Sequence, residues 1–302
     1  MNNNTKLDIN KSFAGEIEPL DMVLPGLLAG SVGSLVAPGS TGKGFFINSL
    51  LCSMTSKDVI GMGITPQDCK VTYITAEDPL QVLEHRICAL GALLNQIERQ
   101  FFSDRVDIIS LAGRQPSLLT DKIPVEIGPD GKPTTEARWR RWLEQICQGK
   151  RLVIIDTLRR FHSAEENDSG AMTVLLQIIE GIAQRTGAAI IFTHHTKKGS
   201  TVNGLGLDAD SSRGSGALIY NVRWQLNMQS MTTNDADHFG VDHDRRRKYV
   251  QVFGSKINYD DRGLAGWLMR KDGGILVESD LVEPPRTLHE LKNGGRCVKN
   301  SF

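Results

Sequence analysis

Read for apolar and polar positions alone, the chain alternates short, continuous apolar runs with stretches of helical spacing. Val32 to Val36, CKVTYITAEDP (69–79), VDIISLAG (106–113), RLVIIDT (151–157) and AAIIFTHHT (188–196) each predict a strand. Unbroken apolar character of that length is what a strand covered on both faces requires. Between them, Phe45 to Cys52, Leu83 to Leu94, Trp139 to Cys147 and Val174 to Ala183 predict helices, the second through Leu83, Ile87, Leu90 and Leu94. Two further strand-like runs lie at 221–228 and 248–258. The expected fold class is α/β, a mostly parallel central sheet flanked by helices, with a small C-terminal β extension. This domain is placed at 20–278, after a polar, flexible arm (1–19) and before a polar tail (279–302) expected to be disordered. Two long loops, near 114–135 and 196–212, interrupt the pattern, and loops of that length are usually functional or disordered.

Composition narrows the classes. Hydrophobic residues are 40% and charged residues 23% of 302, ordinary for a soluble globular protein. Lys+Arg and Asp+Glu are both 35, so any contact with nucleic acid must come from local loops and not from bulk charge. Five cysteines without a CxxC pair argue against a disulfide framework or a zinc site and fit a reducing cytosol. No apolar run approaches the roughly 20 residues that span a bilayer, and a cytoplasmic protein is expected.

The sharpest chemistry lies at 37–44: Ala37, Pro38, Gly39, Ser40, Thr41, Gly42, Lys43 and Gly44. A strand precedes this run and a helix follows it, as the phosphate loop GxxxxGK[ST] requires. Glycines let backbone N–H groups curl toward a phosphate, the helix N-terminus adds positive potential, and Lys43 brings charge for the β and γ phosphates. Ala37 replaces the first glycine, a mild change. Gly44 replaces the Ser or Thr that holds Mg²⁺, the more serious departure. Either water fills that place, or a nearby carboxylate compensates, or activity is weakened.

Asp156 ends the buried strand RLVIIDT, where an acidic residue orders Mg²⁺; capping of the next turn is the bland alternative. Glu77 ends YITAE and could polarise an attacking water. Its neighbour Asp78 points the other way if the strand continues, so one of the two faces the nucleotide, and Glu77 is preferred. His194 and His195 end the strand AAIIFTHH, where a polar group can sense the γ-phosphate. A metal pair is discounted because no Cys or carboxylate cluster joins them.

Together, APGSTGKG, YITAEDP, HRICALGA, RLVIIDTLRRFH, IFTHHTKKG, SSRGSGALIYNVRW and GSKINY resemble the RepA-type hexameric replicative DNA helicases of plasmids, from about Leu20 to Gly274. The resemblance implies a RecA-like P-loop NTPase core and a homohexameric ring. Such a ring hydrolyses ATP with Mg²⁺ between subunits and moves single-stranded DNA through its centre. It further implies Lys43 on phosphate, Glu77 as catalytic carboxylate, Asp156 on Mg²⁺, and His195 as γ-phosphate sensor with His194 beside it. Arg223 would be the arginine finger, with Arg213 the competing candidate, and Lys256 would reach the nucleotide across the interface. A replication initiator or primase would be a further partner, and no membrane is involved.

The two loops would face the channel, with Arg114, Lys122, Lys132, Lys197 and Lys198 against the DNA backbone. Neither loop carries an aromatic side chain, so backbone tracking is expected over base stacking. Two alternatives to the motor are a slow or inactive RecA-like ATP-binding protein that regulates or binds DNA, and an ATPase acting on protein partners. Gly44 keeps the first of these open.

Overall fold

Four of the apolar runs form the centre of one nine-stranded sheet. The computed structural model describes residues 7–15, 17–121, 123–128, 130–195, 218, 221–260 and 263–282. Its large sheet contains β3 (Val32–Ala37), β4 (Val71–Thr75), β5 (Val106–Ser110), β6 (Leu152–Asp156), β7 (Ala189–His195), β8 (Trp224–Ser230), β9 (Tyr249–Ile257), β10 (Ala265–Arg270) and β11 (Leu276–Glu278). The strand order is β11-β10-β9-β8-β3-β7-β6-β4-β5. From β8 to β5 all neighbours are parallel, while β8 to β11 pair antiparallel. This is a mostly parallel α/β sheet with an antiparallel extension. A separate hairpin joins β1 (Met22–Leu24) to β2 (Leu27–Leu28).

Helices cover both faces. On one side lie α2 (Lys43–Thr55), α3 (Leu80–Gly91) and α4 (Gln96–Arg105), packed with Leu35, Tyr73, Ile154 and Ile191. On the other lie α5 (Thr135–Cys147) and α6 (Ser169–Thr186), packed with Ile74, Val153, Ile155 and Phe192. The alternation is strict because successive strand side chains point to opposite faces. Every residue of β3, β4 and β6 is buried.

Local signals set the helix ends. Asp168 accepts hydrogen bonds from Gly170 and Ala171 N–H at the start of α6, which stops at the left-handed Gly187. A capping box of Asn95 and Glu98 opens α4, and Thr134 caps α5. The polar arm contains one short helix, α1 (Ile9–Phe13), which buries none of its side chains. In the extension, α7 (Thr233–Phe239) follows β8 and carries its own capping box.

The first long loop, between β5 and α5, is tied down at several points, among them the Arg140 guanidinium, which donates to the Leu118 and Val125 carbonyls, and Ser163 N–H, which donates to the Leu119 carbonyl. Leu118 N–H donates to the Phe161 carbonyl, and Leu118 and Leu119 are buried. The second loop (196–212) and the tail from 283 lie outside the described residues. Among the described residues, no helix is long and apolar enough to cross a membrane, and Cys52, Cys69, Cys88 and Cys147 are free thiols. Burial pushes the Cys52 and Cys147 thiols up to about 12, so both stay protonated and inert.

Where β3 meets β8, the sheet leaves no room for a side chain at Gly33. A Cβ there would stand 2.6 Å from Trp224, which is fully buried and donates its indole N–H to the Pro25 carbonyl. Gly33→Ala is therefore expected to cost about 1–3 kcal/mol by overpacking, read as a lower urea midpoint at unchanged slope.

Candidate nucleotide site

Strand parity decides which side chains reach the C-terminal edge of the sheet on the α2 side. On β6, Leu152 and Ile154 pack toward α2, so Asp156 follows them. On β7, Ala189 and Ile191 do the same, which puts Thr193 and His195 on the α2 side and His194 on the other. The histidine pair is therefore split: His195 meets the phosphate loop and His194 does not.

Lys43 is the first residue of α2 and is largely buried. Its ammonium lies 3.3 Å from the Ala37 carbonyl oxygen and 3.2 Å from His195 Nδ1. An ammonium only donates, so Nδ1 accepts, and His195 is the tautomer protonated on Nε2. The loop itself depends on Gly42. Its φ is +104°, and a Cβ there would stand 2.8 Å from Arg270 Nη2. Arg270, from β10, donates to the Thr41 carbonyl at 2.8 Å and so braces the loop from outside.

Asp156 is only 4% exposed. Its Oδ2 accepts from the Tyr73 hydroxyl at 2.6 Å and its Oδ1 from the Thr193 hydroxyl at 2.5 Å. Two donors compensate a carboxylate removed from water. Glu77, just past β4, faces an open cleft of about 630 Å³ that Arg114, Arg159, Arg160, His162 and His195 also line. Burial raises the Glu77 carboxyl above its ordinary value, and the charge of Asp156 raises it further, against the pull of Arg160 and Lys43. Arg160 Nε stands 3.8 Å from Glu77 Oε1. Asp78 does not face that cleft; it is held beside the start of α2 by Arg86 through two bonds of 2.6 and 3.0 Å. The two acidic neighbours thus have separate partners.

The donor set suits Mg²⁺. That ion takes oxygen ligands, keeps several waters, and binds through one or two carboxylates together with substrate phosphates. Asp156 and the hydroxyls of Tyr73 and Thr193 are hard oxygens on the α2 side of the sheet, and Glu77 adds another at the cleft. Among the described residues, no group of three or more His, Cys, Asp or Glu forms a self-sufficient metal cage. Such a site needs the phosphates to complete it.

Other expected site residues stand apart. Arg223 precedes β8 and is exposed, and Lys256 pairs across from Gln225. Gly33 aligns with Trp224, so Arg223 sits at the opposite end of β3 from Ala37, while Lys256, across from Gln225, is level with Ser34 and two strands over. Five strand residues at roughly 3.3 Å each separate the two ends by about 16 Å. Within one chain neither cation reaches the phosphate loop. Arg114 borders the cleft beside Glu77, while Lys132 is exposed farther along the same loop. Lys122, Lys197, Lys198 and Arg213 lie outside the described residues.

Tyr73, Thr193, Arg86, Arg160 and Arg270 escape a reading of sequence alone. Tyr73 and Thr193 count there only as strand residues. Parity from Glu77, four residues after Tyr73, and from His195, two after Thr193, would have put both on the site's face.

A protein-family model described as an AAA domain matches residues 3–201. The crystal structure of the RadB recombinase is similar over 90% of this chain and 96% of its own, with a TM-score of 0.50 and 14% identity. A second solved structure, that of an ATPase domain, is similar over the same shares, with a TM-score of 0.54 and 14% identity. At such identity the likeness is one of fold: a RecA-like P-loop ATPase core.

Beside the cleft, burial and the Arg159 charge push the His162 imidazole from 6.5 down to about 4. Between those values the unfolded chain binds a proton that the folded chain refuses. This contribution is complete above pH 6.5 and is lost as pH falls toward 4. His162→Gln is expected to flatten the fall in urea midpoint across that window.

Proposed function

The chain belongs to the AAA-domain family, and from that premise we propose that it is an ATP-hydrolysing DNA motor. More fully, it is a homohexameric helicase of plasmid or mobile-element replication, translocating on single-stranded DNA. The observation that carries the ATPase reading is the meeting of Lys43, His195, Asp156 and Glu77 at one sheet edge beside a helix N-terminus. The resemblance of the motifs to those of plasmid replicative helicases supports the DNA motor, as do structural neighbours named as a recombinase and an ATPase domain.

Each residue has a task in this reading. Backbone N–H groups of 37–44 and the Lys43 ammonium hold the phosphates. Mg²⁺, when bound, would neutralise charge on the phosphates. Asp156, fixed by two hydroxyls, keeps a carboxylate in register for it. Glu77, with its raised basicity, takes the proton from the attacking water. His195 touches Lys43 and so couples the phosphate end to β7. Arg223 and Lys256, too far from their own loop, serve the nucleotide of the next copy, where a guanidinium offsets transition-state charge. Arg114 opens the first loop toward DNA; Lys122, Lys132, Lys197 and Lys198 add backbone contacts that weaken steeply with salt.

The second reading is a slow ATP-binding protein that binds or regulates DNA. Gly44 favours it, because the P-loop hydroxyl is missing. Steady-state ATP hydrolysis with and without single-stranded DNA separates the two. The motor predicts DNA-stimulated turnover that Lys43→Ala abolishes and that Glu77→Gln lowers by about 10²–10⁴-fold. Binding of ATP and DNA with no turnover would leave the regulator.

The pH profile offers an independent check. Glu77 acts only when ionised, so activity is present above its pKa and is lost as pH falls through a value higher than an ordinary glutamate's. Arg160→Ala removes a charge that lowers this pKa. It is expected to move the acid limb of kcat/KM to still higher pH.

A further inference from the structure

Gly44 leaves out a hydroxyl, yet the space beside it is not empty. A Cβ built on Gly44 would stand 2.5 Å from Arg86 Nη1 and 3.4 Å from the Tyr73 hydroxyl oxygen. Arg86 is fixed there by its paired bonds to Asp78, and its guanidinium lies 4.8 Å from the centre of the Phe45 ring. Tyr73 is wholly buried, and its hydroxyl lies 2.6 Å from Asp156 Oδ2. The room that a Ser or Thr Cβ would use is therefore taken by the Arg86 guanidinium, with the Tyr73 hydroxyl in ordinary contact beside it.

We infer that the Tyr73 hydroxyl stands in for the absent P-loop hydroxyl, as the positioning residue that with Asp156 orders the Mg²⁺ accompanying the nucleotide. This rests on the nucleotide-binding reading above. In the usual P-loop, a Ser or Thr hydroxyl and an acidic strand end hold the ion together. Here the hydroxyl comes from β4 and not from α2. It borders the same space and keeps the same acidic partner.

The hydrogen-bond polarity suits the task. The Tyr73 hydroxyl donates its one proton to Asp156. The phenol oxygen keeps its lone pairs, a hard acceptor of the kind Mg²⁺ or its waters take. Thr193 occupies the other carboxylate oxygen, so Asp156 cannot turn away from this arrangement. Arg86 does not oppose a cation nearby with its full charge, because Asp78 neutralises it at 2.6 Å.

The test uses Mn²⁺ as the probe, read by the loss of its free-ion paramagnetic resonance signal on the full chain with ADP. Native protein, Tyr73→Phe, Gly44→Ser and Lys43→Ala are compared, and ADP affinity is measured separately in EDTA. Tyr73→Phe keeps the ring and removes only the oxygen. It is expected to weaken Mn²⁺ binding in the ADP complex by about 10-fold or more with ADP affinity in EDTA unchanged, and to lower the melting temperature because buried Asp156 loses one of its donors. Gly44→Ser adds a hydroxyl but drives its Cβ into Arg86, and is expected to bring no gain in Mn²⁺ affinity.

Unchanged Mn²⁺ affinity in Tyr73→Phe would overturn the inference. So would equal losses of Mn²⁺ and ADP affinity, which would make Tyr73 a packing residue only. A gain of about 10-fold in Gly44→Ser would also overturn it, since the native site would then lack a hydroxyl. Failure of the underlying reading looks different: native protein that binds no ADP in EDTA, indistinguishable from Lys43→Ala.

Discussion

A carboxylate almost cut off from water, Asp156, is the point on which this structure turns. Removing a charged group from water costs several kcal/mol unless donors replace the lost hydration. Tyr73 from β4 and Thr193 from β7 supply those donors, one to each oxygen. The same two bonds join the C-terminal ends of three adjacent strands. The fold therefore cannot satisfy Asp156 without also bringing β4, β6 and β7 into register where the phosphate loop opens. Stability and site geometry are set by one interaction.

Around that point the site is braced from outside the motif. Arg270 reaches the Thr41 carbonyl from the antiparallel extension, so β10 is part of how the loop is held. Arg86 locks Asp78 and fills the space beside Gly44. Glu77 is left with the cleft and with Arg160. Two adjacent acids so acquire different roles by having different neighbours, and the one with the raised pKa is the one that faces open space.

The parallel core was legible because its strands are continuous apolar runs and its phosphate loop has a known spacing. Asp156, Glu77 and Lys43 stood out for the same reason. The helix α4 was not seen, because it buries only Phe102 and reads as polar. β10 was also missed: of its six residues only Leu268 is fully buried, so its pattern lacks a clear period. Tyr73 was passed over because a tyrosine in an apolar strand looks like filling until its hydroxyl has a partner. The separation of His194 from His195 follows from parity alone and could have been drawn from the sequence. Arg86 and Arg270 could not, since tertiary packing alone brings them to the loop.

The length of β3 imposes a last consequence. Arg223 sits about 16 Å from the loop of its own chain and Lys256 lies two strands over from β3, so in this account hydrolysis needs a second copy. Mixing two defective variants tests that most directly. Glu77→Gln and Arg223→Ala should each be inactive alone, and an equal mixture should regain ATP turnover, because some interfaces then pair an intact Glu77 with an intact Arg223. A mixture as inactive as its components, with mixed assembly verified by mass, would contradict a site shared between copies.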